Sequence, residues 1–212
     1  MIMERPEQQY IDLFTQYEAM ICRHSAEVLN APRSKAFADF ERLGFPTRKQ
    51  EDYKYTDVGR YFAPDYGLNL NRLEIPVNPY EVFKCDVPNM STSLYFVVND
   101  AFDRHDSPTA SLPEGVEFGS LCEIATRRPE LIKKYYAHLA DTSEDALAAF
   151  NTLFAQDGVV MYVPKGVVVE RPIQLVNILR ADVATLVNRR LLIILEEGAQ
   201  AKLLICDHAM DE

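Results

Sequence analysis

The sequence lacks the features that mark membrane, secreted and nucleic-acid-binding proteins. No apolar run approaches the roughly 18 residues of a transmembrane helix. The N-terminal segment MIMERPEQQY has no apolar signal-peptide core. Basic residues are also in deficit, with 22 Lys and Arg against 32 Asp and Glu and a net charge of −10. A basic surface is what general nucleic-acid and anionic-membrane binders need, so both classes are disfavoured and we expect a cytoplasmic protein.

Cysteine, histidine and catalytic motifs are equally sparse. No C-x-x-C pair occurs among the four cysteines, Cys22, Cys85, Cys122 and Cys206, so buried reduced thiols are the simplest interpretation. The sequence has no G-x-x-x-x-G-K-[ST], G-x-S-x-G, H-E-x-x-H or Rossmann glycine pattern. A P-loop is therefore excluded. We assign no catalytic, cofactor-binding or metal residue, and we expect no enzyme.

One Cys/His pair, Cys206 and His208, lies in a predicted strand. Residues two apart on a strand point to the same face, so a thiolate and an imidazole could meet there. Two ligands from one strand make at most half a metal site, and we prefer a structural role for both. Cys22 and His24 lie on opposite sides of a predicted helix, which disfavours a shared metal.

The first 156 residues are predicted to be mostly helical. Apolar residues at three- and four-residue steps from Tyr10 to Val28 predict a first helix. A second helix is predicted over Arg33–Leu43, with Gly44 as its C-terminal cap. The other elements predicted here are helices over Pro129–Leu139 and from an N-cap at Thr142 or Ser143 to a stop at Gly158, strands at Leu94–Val98 and Val116–Phe118, and an extended connector at Pro64–Pro88.

From Asp157 onward the pattern changes to short apolar strands separated by Gly and Pro. The predicted strands are Val159–Val163, Val167–Val169, Ile173–Ile178, Leu191–Leu195 and Ala201–Cys206. Continuous Val, Ile and Leu favour strands covered on both faces. A stacked β-solenoid fits them, although their spacing shows no strict repeat. Gly166, after Pro164, is predicted at positive φ in a type II turn.

Three segments resemble the SufB/SufD family of iron–sulfur cluster assembly scaffolds. They are FNTLFAQDGVVMYVPKGVVVERPIQL (Phe150–Leu175), PTRKQEDYKYTDV (Pro46–Val58) and RRLLIILEEGAQAKLLICDH. The upstream motif favours SufD over SufB, although Tyr53 stands where the family pattern has Trp. The motif is either an interaction surface or a helix start whose tyrosines anchor in the core, and we prefer the second interpretation.

The resemblance implies a fold and a role. The fold is α+β, with an N-terminal helical domain over 1–156 and the first coils of a right-handed parallel β-helix over 157–212. The role is a non-catalytic scaffold, with SufB-like and SufC-like partners and no cofactor in this chain. An apolar strand close to Glu212 has no capping element, so we expect an N-terminal part of a longer protein. We place the residues that handle iron or sulfur beyond Glu212. The isolated chain is expected to self-associate through its C-terminal strands.

Two other classes remain as alternatives. A carbohydrate-active enzyme on a β-helix would need paired carboxylates, and the candidates in the strand region are Glu170, Asp182, Glu196, Glu197 and Asp207. A metal or redox protein would use the scattered cysteines. A glycan-cleavage assay and an absorbance spectrum distinguish these two from a scaffold.

Overall fold

Helices and two mixed β-sheets make up the chain, which confirms the α+β class. The computed structural model describes residues 5–83, 92–104, 112–180 and 184–210. Its helices are α1 (Gln8–Arg23), α2 (Glu27–Asn30), α3 (Arg33–Leu43), α4 (Val58–Phe62), α5 (Pro79–Val82), α6 (Leu121–Arg127), α7 (Pro129–Tyr135) and α8 (Ala146–Phe154), with a 3₁₀ turn at Glu51–Tyr53. Its strands are β1 (Ser93–Val98), β2 (Ala101–Phe102), β3 (Glu117–Ser120), β4 (Val159–Val163), β5 (Ile173–Leu179), β6 (Leu191–Leu195) and β7 (Leu203–Ala209). None of the helices in these ranges is long and apolar enough to cross a membrane.

Two compact units divide the chain. The helical unit comprises Met1–Asn71, Ala125–Gln156 and Val183–Asn188, and the strand unit comprises Arg72–Ile124, Asp157–Asp182 and Arg189–Glu212. Each unit has its own cluster of buried apolar side chains. The division into folding domains at 1–156 and 157–212 stays a prediction.

An aromatic core holds the helical unit together. The apolar stripe of α1 buries Tyr10, Phe14 and Ile21, as its spacing predicts. The ring of Phe150, on α8, meets that of Tyr10 edge-on at 5.0 Å between centroids, a favoured aromatic geometry. The helix predicted at Arg33–Leu43 has those bounds and packs against α8. Gly44 ends it at φ +62°, which confirms the predicted cap.

A buried guanidinium joins α3 to the end of α8. Arg33 is 1% exposed. Its Nη1 donates to the carbonyl of Thr152 at 2.9 Å and also to that of Leu153, and its Nη2 donates to Ala155 O at 2.7 Å. These carbonyls belong to the last turn of α8, where helix carbonyls lack internal partners and the dipole is negative. Arg33 therefore acts as a C-terminal cap supplied by another helix.

Two helix boundaries differ from the prediction in the first half of the chain. The single helix predicted through Val28 is two helices, because α1 ends at Arg23 and α2 starts at Glu27. The short α5 lies inside the proline-rich stretch 64–88, where we predict no helix. Its first position is Pro79, where a missing N–H costs nothing. The end of that stretch, after residue 83, lies outside the described part of the chain.

Two further corrections concern α7 and α8. α7 ends at Tyr135 rather than Leu139, since Ala137 adopts a left-handed φ of +59°. α8 ends at Phe154, before the predicted stop at Gly158, because Ala155 is already extended. Its N-cap is Asp145, whose carboxylate accepts from the N–H groups of the next turn at 2.8 and 3.0 Å. Thr142, one of the predicted caps, instead donates its hydroxyl to Asp39 at 2.6 Å.

The strand unit contains two sheets, with strand orders β2-β1-β5-β7 and β3-β4-β6. β1 pairs with β5, β5 with β7 and β4 with β6 in parallel, whereas β2 pairs with β1 and β3 pairs with β4 in antiparallel fashion. Inward side chains of the two sheets form one core cluster that includes Val159, Met161, Ile173 and Leu175. The predicted strands at 94–98, 116–118, 159–163, 173–178 and 191–195 are all present, with small shifts at some ends.

Consecutive segments of the strand unit stack in register. Pairing from 159 to 191 and from 168 to 200 has an offset of 32 residues, and pairing from 173 to 203 has an offset of 30. The turns stack as well, with Gly166 at φ +72° and Gly198 at φ +73°, which confirms the positive φ predicted for Gly166. Two predicted strands change: 167–169 is reduced to one bridge at Val168, and 201–206 becomes β7, two residues later.

Candidate assembly interface

The last strand of each stacked sheet exposes side chains that are buried one layer earlier. Met161 and Val163 on β4 are 1% and 0% exposed. Their register partners on β6 are Ile193 and Leu195, and both are 46% exposed. The row of side chains on the inward face of this sheet is therefore buried on β4 and exposed on β6, one layer later.

The other sheet shows the same transition. Leu175 on β5 is 2% exposed, whereas its partner Ile205 on β7 is 47% exposed. β6 and β7 are the outermost strands of their sheets, each paired along one edge within the described residues. We call Ile193, Leu195, Ile205 and the outer edges of β6 and β7 the end layer. An apolar row beside unpaired strand edges is the surface on which a further strand layer, or another chain, adds.

Charged side chains beside the end layer are mostly engaged locally. Lys165 ties the stacked turns together, because its Nζ lies 2.6 Å from a carboxylate oxygen of Glu197 and its N–H donates to Glu196 at 3.0 Å. Asp207 pairs with Arg189 at 3.0 Å. Of the other candidate carboxylates, Glu170 is exposed and Asp182 lies outside the described ranges. Glu196, Glu197 and Asp207 therefore have local partners, Lys165 on the stacked turns and Arg189 just before β6.

A buried ionic cluster fixes the start of β4. Asp157 accepts from the Ser120 hydroxyl at 2.8 Å and from the Cys122 N–H at 2.9 Å. Arg72 pairs with Asp100 at 2.7 Å and lies 3.8 Å from the other Asp157 oxygen. Burial raises the pKa of Asp100 against the opposing effect of Arg72. Sequence reasoning missed this cluster, since its members come from four distant segments with no common motif.

Cys206 and His208 lie on one face of β7, as predicted. The Cys206 thiol is 3.6 Å from the amide nitrogen of Gln174, and the His208 ring meets Phe83 edge-on at 5.5 Å. Both therefore pack within an apolar cluster beside Phe96. Among the residues that the structure describes, no three His, Cys, Asp or Glu side chains are grouped for a metal. The absence of a metal site stays a prediction.

The remaining cysteines are separate from this pair. Cys22 and Cys122 are reduced and half-buried, and burial raises the pKa of both thiols. Less thiolate at neutral pH makes them weak nucleophiles and poor metal ligands. Cys85 lies outside the described ranges.

The segment Pro46–Val58 divides its aromatic residues between core and solvent. Tyr53 packs against the aromatic core, and burial raises its pKa. Tyr55 is 87% exposed. The interpretation that both tyrosines anchor in the core is therefore right for Tyr53 and wrong for Tyr55. The helix start is confirmed at the end of the motif, where Asp57 caps α4 through a 3.3 Å bond from the N–H of Arg60.

Comparison with known proteins identifies the family. Residues 4–175 match the family model described as the SufBD protein N-terminal region. The chain belongs to the SufB/SufD family. This match spans the helical segments and the first stacked strands, and it confirms the resemblance carried by the sequence motifs.

Curated relatives of the chain include proteins of Arabidopsis thaliana and Trieres chinensis. It is 30% identical over 178 residues to the "Iron-sulfur cluster assembly SufBD family protein ABCI8, chloroplastic" of Arabidopsis thaliana, covering 79% of this chain and 32% of the relative. It is 29% identical over 183 residues to ABCI9 of the same plant, covering 79% and 39%. It is 26% identical over 185 residues to ycf24 of Trieres chinensis, covering 81% and 37%. The chain spans between about a third and two fifths of these relatives.

Proposed function

We propose that this chain is part of a non-catalytic, SufD-like scaffold subunit in iron–sulfur cluster assembly. The match to the SufBD N-terminal region supports it, as do the relatives whose names carry that assembly function. The SufD assignment within the family rests on the segment Pro46–Val58. In this segment Tyr53 packs against the core and Tyr55 is exposed, so we assign the first a structural role and the second to the surface.

The observation that carries the scaffold role is the end layer. Parallel pairing in register and stacked turns at Gly166 and Gly198 are the geometry of a parallel coil. In our proposal they are the first coils of a right-handed parallel β-helix. A further coil of the protein stacks on Ile193, Leu195 and Ile205 and completes the apolar rows. The stacked coils then present a long rigid surface to partner subunits.

The proposed partners are a SufB-like subunit and a SufC-like ATPase, in the cytoplasm. ATP hydrolysis belongs to the SufC-like partner in this scheme, and the residues that handle iron or sulfur lie beyond Glu212. The half-buried thiols, with their raised pKa, suit a supporting role for this chain rather than cluster ligation.

Co-purification tests this proposal. The tagged protein carrying this chain is co-expressed with SufB-like and SufC-like proteins of the same organism, and the mass of the eluted complex is measured by light scattering. We expect a stoichiometric complex that Ile193→Lys weakens, because a charge would be buried under the next coil. The control is Leu139→Lys, at a residue that is 96% exposed in the helical unit. Elution of the tagged protein without partners would contradict the proposed role.

A further inference from the structure

A second exposed surface lies on the helical unit, far in sequence from the end layer. Between Thr47 and Tyr61 most side chains are exposed. Two large aromatics stand out, because Tyr55 is 87% and Tyr61 is 66% exposed. Tyrosine is enriched in protein interfaces, since it offers a large apolar ring and a polar tip at low entropic cost.

The backbone beneath these tyrosines is firmly held. The Tyr10 hydroxyl donates to the carbonyl of Phe62 at 3.0 Å, and the Gln9 side-chain amide donates to the same oxygen at 2.7 Å. The ring of Phe62 stacks on Phe45 at 4.5 Å. Val58, the first residue of α4, is buried. The exposed aromatics therefore project from an ordered platform, which lowers the entropy lost on binding.

The segment that carries these tyrosines has a small positive net charge, opposite in sign to that of the whole chain. Residues 46–63 contain four basic and three acidic side chains, whereas the whole chain has 22 basic and 32 acidic ones. Lys54 is paired with Glu51, and Asp57 is engaged as the cap of α4. Arg48, Lys49 and Arg60 are exposed and have no ion-pair partner among the described residues.

We infer that Tyr55 and Tyr61, with Arg48, Lys49 and Arg60, form a docking site for an acidic, aromatic- or leucine-containing segment of a partner protein. We call these five residues the tyrosine patch. The cations attract carboxylates, and the two rings receive an apolar side chain. A nucleic acid fits less well, because binding a phosphate backbone takes an extended row of cations and the patch has three. This site is independent of the end layer and does not rest on the proposed assembly role.

A random-peptide phage library selected on the immobilised chain tests the inference. The selected peptides are expected to carry net negative charge and an apolar residue. After synthesis, their Kd is measured by fluorescence anisotropy. The double variant Tyr55→Ala, Tyr61→Ala should raise Kd at least about tenfold, the effect of losing interface anchors. Reversing Arg48 and Lys49 to Glu should raise Kd by a similar factor and flatten its dependence on salt.

Matched controls lie elsewhere on the helical unit. Leu139→Ala removes an equally exposed apolar side chain, and reversal of Lys133 and Lys134 to Glu repeats the charge change at two other exposed lysines. Both controls should leave Kd within about twofold, and circular dichroism should show all variants folded. Selection of neutral or basic peptides, equal Kd in all variants, or failure to select any peptide overturns the inference. Displacement of the peptide by poly-uridine also overturns it, because the patch would then bind RNA. A tyrosine variant that loses only self-association overturns it as well, because the patch would then bind a second copy of the chain.

Discussion

Replacement of Arg33 by Met should destabilise the helical unit strongly. The substitution keeps an apolar stem but removes the donors that reach the carbonyls of Thr152, Leu153 and Ala155. A buried polar group left without a partner costs about 1–3 kcal/mol. At the lower end of that range the three carbonyls together cost about 3 kcal/mol, a large part of the 5–15 kcal/mol that is usual for a domain.

Urea unfolding followed by far-ultraviolet circular dichroism measures this effect, because the helices dominate that signal. Arg33→Lys should fall between wild type and Arg33→Met, since an ammonium keeps the charge but cannot reproduce the planar fork. Arg23→Met, at an exposed position in the last turn of α1, is the matched control and should change stability by about 0.5 kcal/mol or less. A loss below about 1 kcal/mol for Arg33→Met would refute the reasoning, because the carbonyls would then have other partners.

Four further predictions concern both units. Gly166→Val should lower the free energy of unfolding by about 1–3 kcal/mol. The cost comes from the positive φ alone, because open space surrounds the Cβ position and no clash adds to it. Lys165→Ala should cost roughly 0.5 kcal/mol or less, and equal melting temperatures for Gly166→Val and wild type would show that the turn is misassigned. A hydrogen bond from Lys35 is the largest cause that holds the pKa of Asp39 below its usual value. The ionised Asp39 therefore stabilises the folded protein fully above the unfolded pKa of about 3.9, and this contribution is lost as pH falls through the lower folded pKa. Asp39→Asn should therefore flatten the loss of stability in acid, and parallel curves from urea titrations would contradict this. Calorimetry should detect no ATP binding, and anaerobic incubation with iron and sulfide should leave no stable visible absorbance band; saturable heat or such a band would overturn these expectations. The isolated chain should dimerise through the end layer, and Ile205→Lys should weaken the dimer. Light scattering that shows a monomer up to roughly millimolar concentration would exclude dimerisation through this surface.

Local rules predicted the elements that carry local signals. Gly44 and Gly166 are at positive φ because a cap and a turn require it, and glycine meets that need at low cost. β4 and β6 have their predicted bounds, since apolar runs flanked by turn residues define short strands.

Features that depend on distant partners were beyond the sequence. The sequence around Thr142 is typical of a helix N-cap, but its hydroxyl donates to Asp39, over a hundred positions away. Asp145 therefore serves as the N-cap of α8. The stacking offset of 32 residues is visible only in the pairing, because the two layers share spacing rather than residue identity. The candidate interface was predicted in part: the sequence indicates self-association through the C-terminal strands, and the register shows that Ile193, Leu195 and Ile205 are the exposed side chains there.

The change of offset between the stacked layers has a consequence for how this chain can vary. Pairing shortens from 32 residues at Val168 to 30 at Ile173, so the second layer omits two residues after its bridge. Side chains on a strand alternate with a period of two, and an even deletion leaves inward residues inward. Removing a single residue between Leu195 and Leu203 would turn Ile205 out of the inward row and bring Cys206 into it. Insertions and deletions in this bend should therefore be inherited in pairs, while the longer connection from β5 to β6 can absorb any number.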